Sequence, residues 1–368
     1  MVYRAFAIAV GLTLLSSAPL RAQNIGDLME PRSGDEISRV GTRGANFLEI
    51  GVGARAMALG GAGAALEPGL GALYWNSASI AGVEGVAIGL STADLYGSSG
   101  LSHTFGGVVL PVGDGAFGVS VSYFTSGEIE RTTEAYPDGN DPSFGAVVEW
   151  RGLALGLHYA LNVTDRLAIG AAGKYVEEGI DLAKATYLGL DVGATFDVGI
   201  YGLTLGAAVA NLGTEGRFEG GLVSAYLPED REAFPAAGDR TVRHDTRNMQ
   251  LPTALRFSVR SSVLGPPEAL LGSSADHDVL AYAQVLDGID TNIQTSLGLE
   301  YGFRRLFYVR AGKRFVNESQ APWEFGDGLA GGLGVRIPLL DRVFTLDYAY
   351  VSMGDLDKTQ HFSLAFGF

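Results

Sequence analysis

Leu188-Gly-Leu-Asp-Val-Gly-Ala-Thr-Phe-Asp-Val198 alternates without a break. Leu188, Leu190, Val192, Ala194, Phe196 and Val198 share one parity, and Gly189, Asp191, Gly193, Thr195 and Asp197 share the other. Successive strand side chains point to opposite faces, so this stretch is a strand with one greasy face and one small or polar face. The same beat runs through Phe117 to Tyr123, Leu153 to Leu161, Thr295 to Tyr301, Leu333 to Ile337, Phe344 to Tyr350 and Phe362 to Phe368. Soluble sandwiches alternate too, but their outer face carries Lys, Glu and Thr. Here the second face is mostly Gly, Ala and Ser, while Tyr123, Tyr159, Phe196, Tyr301, Phe303 and Tyr350 place aromatics at segment ends, as an interfacial girdle requires. Lipid cannot satisfy an open sheet edge. The expected fold is all-β, a transmembrane antiparallel β-barrel.

The strands expected are 83–92, 101–112, 116–125, 144–161, 167–176, 187–198, 203–211, 252–261, 278–286, 291–302, 306–315, 328–337, 343–351 and 361–368, fourteen in all. The apolar phase slips between Trp150 and Leu153, so 144–161 reads as two strands or as one with a bulge near Arg151-Gly152, and the connection lengths favour the single strand. Short connections at 113–114, 162–166, 199–202, 303–305 and 338–342 alternate with longer ones at 126–143, 177–186, 212–251, 316–327 and 352–360. Outer-membrane barrels combine short periplasmic turns, longer outer loops and an even strand count. The connections 262–277 and 287–290 break the alternation.

Composition narrows the functional classes. Cysteine is absent, which removes disulfides, thiolate metal sites and cysteine nucleophiles. The charge is 26 − 41 = −15, so phosphate backbones are repelled and no nucleic acid is expected as partner. Residues 1–22 read as a signal peptide: Arg4 in the n-region, eleven apolar residues from Ala5 to Leu15, and a cut after Ala22. The protein is therefore expected to be exported, with outer-membrane lipid around residues 83–368.

Strand parity turns Lys174, Asp191, Arg256, Arg260, Glu300, Arg310, Arg314, Arg336 and Asp347 into the lumen. They can form ion pairs packed against an inserted plug, or a charged path for a transported group. No catalytic residue, cofactor or metal is expected. The five histidines form no ligand pair, and His103 falls on an apolar face, where an interfacial residue is expected. Gly51-Val-Gly53-Ala-Arg55-Ala56 fits the loose dinucleotide pattern, but no parallel α/β unit follows it. The charged stretches Glu229 to Glu232 and Asp239 to Asp245 read as a solvated surface or a partner contact in the longest loop.

Residues 23–82 do not alternate, and the Gly and Ala density from Gly51 to Leu66 suits a segment packed inside a barrel. Phe47-Leu48, then Gly53-Ala-Arg55-Ala-Met57-Ala-Leu-Gly60-Gly61-Ala62, then Leu73-Tyr-Trp75-Asn76, resembles the opening signature of the PorV/PorQ family of outer-membrane proteins. Lys174-Tyr175, Asn211-Leu-Gly213, Leu251-Pro-Thr253, Arg310-Ala-Gly312 and Asp347-Tyr-Ala-Tyr350 extend the likeness. Asn76 is followed by Ser77-Ala78-Ser79 where the family commonly has Pro-Ala-Gly.

The resemblance implies a relative of FadL-type transporters, whose fourteen-stranded barrels carry an N-terminal hatch. Residues 23–82 would then be a periplasmic leader and hatch. It implies a type IX secretion role, with secretion-system proteins and secreted cargo as partners. The alternative is a FadL-like channel for hydrophobic small molecules, with Phe47, Leu48 and Met57 lining a greasy site.

Overall fold

The computed structural model describes residues 41–66, 68–134, 136–140, 142, 145–227, 240–316, 326–339 and 342–368. The signal peptide, most of the leader and the Glu229 to Glu232 patch lie outside them. Fourteen strands form the wall: β1 Ala87–Asp94, β2 Ser102–Val112, β3 Gly115–Thr125, β4 Trp150–Thr164, β5 Leu167–Ile180, β6 Ala183–Asp197, β7 Thr204–Gly213, β8 Ala254–Leu264, β9 His277–Gly288, β10 Gln294–Phe303, β11 Phe307–Val316, β12 Leu329–Leu339, β13 Arg342–Ser352 and β14 Lys358–Phe366. Each strand pairs antiparallel with its sequence neighbours, and β14 closes on β1 through Ile88↔Phe366 to Asp94↔Gln360. The sheet is a closed cylinder, so no strand edge meets lipid. Leu155, Leu157, Leu188, Val192, Leu297, Leu333 and Leu364 stand exposed on its outer face, as a lipid-facing band requires.

The start of β1 and the end of β14 share one rim, with connections at 113–114, 165–166, 198–203, 265–276 and 304–306. The opposite rim carries 126–149 and 214–253. Short turns mark the periplasmic rim and long loops the outer one. The long connection 265–276 folds back on β8, with Leu270 and Leu271 N–H donating to the Ser262 and Val263 carbonyls.

Two sequence expectations change here. The connection at 177–186 is a tight turn at 181–182, because β5 and β6 continue for 14 and 15 residues. About 9–11 residues cross a bilayer, so this hairpin overshoots the outer rim. The phase slip at Trp150 is a strand start and not a bulge: β3–β4 pairing runs unbroken to Thr125↔Arg151. Val147–Val148 pairs instead with Ile129–Glu130 in the outer loop, and the true β4 irregularity falls between Asn162 and Thr164.

Residues 44–83 run through the lumen from the outer rim, where Gly44 N–H donates to the Gln250 carbonyl at 3.0 Å. Their elements are short: a 3-10 turn Asn46–Glu49, helix α1 Ala54–Ala58, helix α2 Ala72–Trp75 and a 3-10 turn Ser77–Gly82. Leu59, Leu73 and Ile80 are wholly buried. This packing explains the small inner face of the wall. A Cβ on Gly312 of β11 would lie 2.2 Å from the Leu59 carbonyl carbon, and one on Gly170 of β5 would lie 2.5 Å from the Ala78 nitrogen. Only glycine admits backbone that close.

Candidate functional site: a locked lumen beneath an outer vestibule

Two polar networks fix the lumen segment to the wall, and a third ties wall strands to the outer connection 214–253. In the first, Arg55 on α1 donates to Glu300 of β10 through Nε at 2.9 Å and Nη2 at 2.7 Å. Arg310 of β11 bridges the same Glu300 and Asp347 of β13, the latter at 2.6 Å. Glu300 and Arg310 are 1% and 2% exposed. Charges so buried persist only when paired and hydrogen-bonded.

In the second, Asn76 caps the turn that follows it. Its Oδ1 accepts from Ala78 N–H, and its Nδ2 donates to the Ala64 carbonyl at 2.9 Å and the Ala194 carbonyl of β6 at 3.0 Å. The cap forms although Pro-Ala-Gly is replaced by Ser77-Ala78-Ser79, because capping uses the Asn side chain and a backbone N–H. Arg256 of β8 donates to the Tyr74 carbonyl at 2.9 Å and lies 5.0 Å over the Trp75 ring.

In the third, Lys174 of β5 contacts Asp191 of β6 at 2.5 Å and donates to Asn211 Oδ1 at 2.9 Å. Asn211 sits at φ 60° where the β6–β7 register shifts, and its N–H donates to Asp191 Oδ1. Its Nδ2 reaches the Pro252 carbonyl, and Thr253 Oγ1 donates to the Asn211 carbonyl. Three motifs far apart in sequence thus meet at one bulge.

Of the remaining lumen charges, Arg336 joins the first network through the Tyr308 ring, which lies between it and Arg310. Arg260 donates to Thr204 Oγ1, Arg314 to Met353 Sδ, and Arg336 to the Tyr308 hydroxyl. Phe47 lines the outer cavity described below, whereas Leu48 packs with Val176 and Leu251, and Met57 with Ala330 and Ala349. Gly53, Gly60 and Gly61 adopt φ of 85°, 74° and 89°, left-handed values that suit glycine.

His103 corrects an expectation: it faces the lumen, 3% exposed, with Nε2 2.7 Å from Ser122 Oγ. On β2 the inward parity holds Phe105 and Val109, packed against Leu70 and Leu73, so both faces of that strand are apolar. Several anchors escaped the sequence reading. Gln284 accepts from Gly63 and Ala64 N–H and donates to the Gly61 carbonyl. Ser296 donates to the Gly60 carbonyl, and His158 bridges Ser77 and Ser120. Inward parity was their only signal.

Two cavities flank the packed lumen. The outer one, about 340 Å³, lies between the lumen segment and the loops at the outer rim. Phe47 stacks on Phe124 with centroids 6.4 Å apart, and Trp150 meets Phe218 edge-on at 5.7 Å. Ile50, Leu95, Leu101 and Met249 add to the apolar lining, with Arg43 and Glu178 beside it. The second cavity, about 450 Å³, opens between the lumen segment and β12–β14 towards the periplasmic rim, lined by Val52, Leu66, Leu70 and Phe368 with Arg336 and Arg342.

A closed fourteen-strand cylinder with a long-looped outer rim and a filled lumen defines an outer-membrane transport barrel. The family model "Type IX secretion system protein PorV" matches residues 33–257, and the chain belongs to that family. The toluene transporter TbuX of Ralstonia pickettii aligns at a TM-score of 0.51 and 16% identity, covering 86% of this chain and 97% of the transporter. The toluene transporter TodX of Pseudomonas putida gives 0.51 and 12% over the same shares. At such identities the likeness is one of fold. No curated protein matches the chain by sequence.

Proposed function

We propose that this barrel docks secreted protein cargo for type IX secretion, holding it at the outer rim without catalysing a reaction. Residues 1–22 direct its export, and residues 45–82 serve as a fixed hatch. The observation that carries the reading is the aromatic vestibule at the foot of the longest outer connection, 214–253, with Phe218 and Met249 supplied by that connection itself. Aromatic side chains give large apolar contact with little rotamer loss, which suits protein recognition. The family membership supports the secretion system as partner.

The test is a pull-down from detergent-solubilised outer membrane, using the full chain, a chain shortened within 214–253, and Trp150→Ala. Recovery of secretion components and cargo that falls in both variants supports docking. Equal recovery from all three, or a co-purifying lipid with no protein partner, contradicts it. A second reading, a channel for hydrophobic small molecules, draws on the 450 Å³ cavity facing the periplasm, part of whose lining is apolar, and on the fold shared with toluene transporters. It requires that a hydrophobic ligand be retained when loop 214–253 is shortened.

A further inference from the structure

The outer face of the wall carries a cleft of its own, about 470 Å³, where β3 to β6 leave the membrane. Tyr123 and Leu153 of the wall, with Val147 and Val148 of the outer loop, give its apolar lining. Strand length sets its level. Outward positions run from Leu153 to Leu161 on β4 and from Leu188 to Phe196 on β6, nine residues each. About 9–11 residues cross a bilayer, so the outward positions beyond Leu153 and Leu188 lie among the headgroups of the outer leaflet. Arg151 and Lys184 stand at that level, and the register sets both opposite Gly179 of β5, one on each side. Neighbouring strands lie about 4.8 Å apart, so the two Cα atoms are roughly 10 Å apart with no side chain between them.

Both cations face outward because their carboxylates lie behind them. The Arg151 and Lys184 side chains are 65% and 61% exposed, against 22% and 30% for Glu149 and Glu177. Arg151 Nε donates to Glu149 Oε2 at 2.7 Å, and Lys184 Nζ donates to Glu177 Oε1 at 2.7 Å. Thr125 Oγ1 donates to Glu149, and the Tyr175 hydroxyl donates to Glu177 at 3.3 Å, which holds both acids against the wall. Asp181, also in the lining, is held by Arg131, and Glu128 is exposed. A guanidinium has five N–H groups and an ammonium three, so each cation keeps donors for a further acceptor.

We propose that this cleft seats the phosphate of an outer-leaflet lipid between Arg151 and Lys184, with an acyl chain lying down the wall past Leu153, Leu155 and Leu188. Phosphate suits two cations that converge over a glycine, because it accepts charge-assisted N–H bonds from both at once, and the planar guanidinium can meet two of its oxygens. The apolar part of the same lipid finds its surface directly below: Tyr123 pairs with Leu153, the next outward position on β4, and Leu155 and Leu188 are exposed. Basic side chains at the headgroup level attract anionic lipid in this way. The site lies on the lipid side of the wall and is independent of the vestibule and of what the vestibule docks.

The test is native mass spectrometry of the full detergent-solubilised chain, titrated with phosphatidic acid, with diacylglycerol of the same chains, and with inorganic phosphate. The parent should retain phosphatidic acid but not diacylglycerol, and inorganic phosphate at the same concentration should not displace the lipid. In Arg151→Gln/Lys184→Gln, shown folded by heat-modifiable migration, the affinity for phosphatidic acid should fall at least about tenfold. Arg217→Gln, which removes an exposed cation from the outer connection 214–253, should leave it unchanged. Equal retention of phosphatidic acid by the parent and the double variant, equal retention of diacylglycerol, or displacement by inorganic phosphate overturns the site. So does an acidic protein whose recovery depends on Arg151 and Lys184 while phosphatidic acid is not retained, which would give this face to a protein partner.

Discussion

Arg55 and Glu300, 245 positions apart in sequence, meet through two hydrogen bonds in the centre of the barrel. The pairing joins the longest side chain of α1 to the one acid on β10, and Arg310 completes it from β11. Glu300→Gln removes the anion that both guanidiniums share. Breaking one partner of a buried pair costs about 3–5 kcal/mol, because the other charge stays behind. The urea midpoint of the detergent-embedded barrel should fall accordingly, with faster amide exchange at 54–61. Arg304→Ala, which removes an exposed pair with Asp276, should cost less than about 1 kcal/mol and barely move the midpoint.

Asn76→Ala deletes a cap and strands two carbonyls, Ala64 and Ala194. The expected cost is about 1–3 kcal/mol, confined to the lumen segment. Hydrogen exchange should rise across 60–82 while the wall strands keep their protection. A loss spread evenly over β5 and β6 would show instead that Asn76 holds the wall.

Gly312→Ala tests the close approach of wall and lumen segment. Its Cβ would strike backbone at Leu59 and Gly60, which cannot rotate away, so a loss of about 1–3 kcal/mol is expected. Gly331→Ala, on the neighbouring strand with its nearest contact at 3.9 Å, should leave the unfolding midpoint unchanged.

The wall was legible from sequence because lipid outside and packed backbone inside impose opposite chemistries on alternate residues. Leu188 to Val198 needed no tertiary information. β2 was misread at His103 because Leu70 and Leu73 demand apolar partners inside, which erases the contrast between faces. The overshoot of β5 and β6 was hidden for a related reason: beyond the bilayer nothing requires a greasy outer face, so the alternation fades while the pairing continues. Lys174, Asp191, Glu300, Arg310 and Asp347 could be turned inward by parity alone. Their partners could not be assigned, since Arg55 reaches Glu300 only through the path of the lumen segment.

The chain lacks cysteine, so single cysteines report without background. Cysteines placed at Leu155, Val192 and Leu297, and at Ala154, Ala160 and Ser120 one face away, can carry a fluorophore in reconstituted vesicles whose acyl chains bear a quencher. Strong quenching at the first three and none at the second three is the predicted result. Quenching that ignores parity, or labels at Leu155, Val192 and Leu297 that stay dark to lipid, would contradict a barrel whose apolar face meets the membrane.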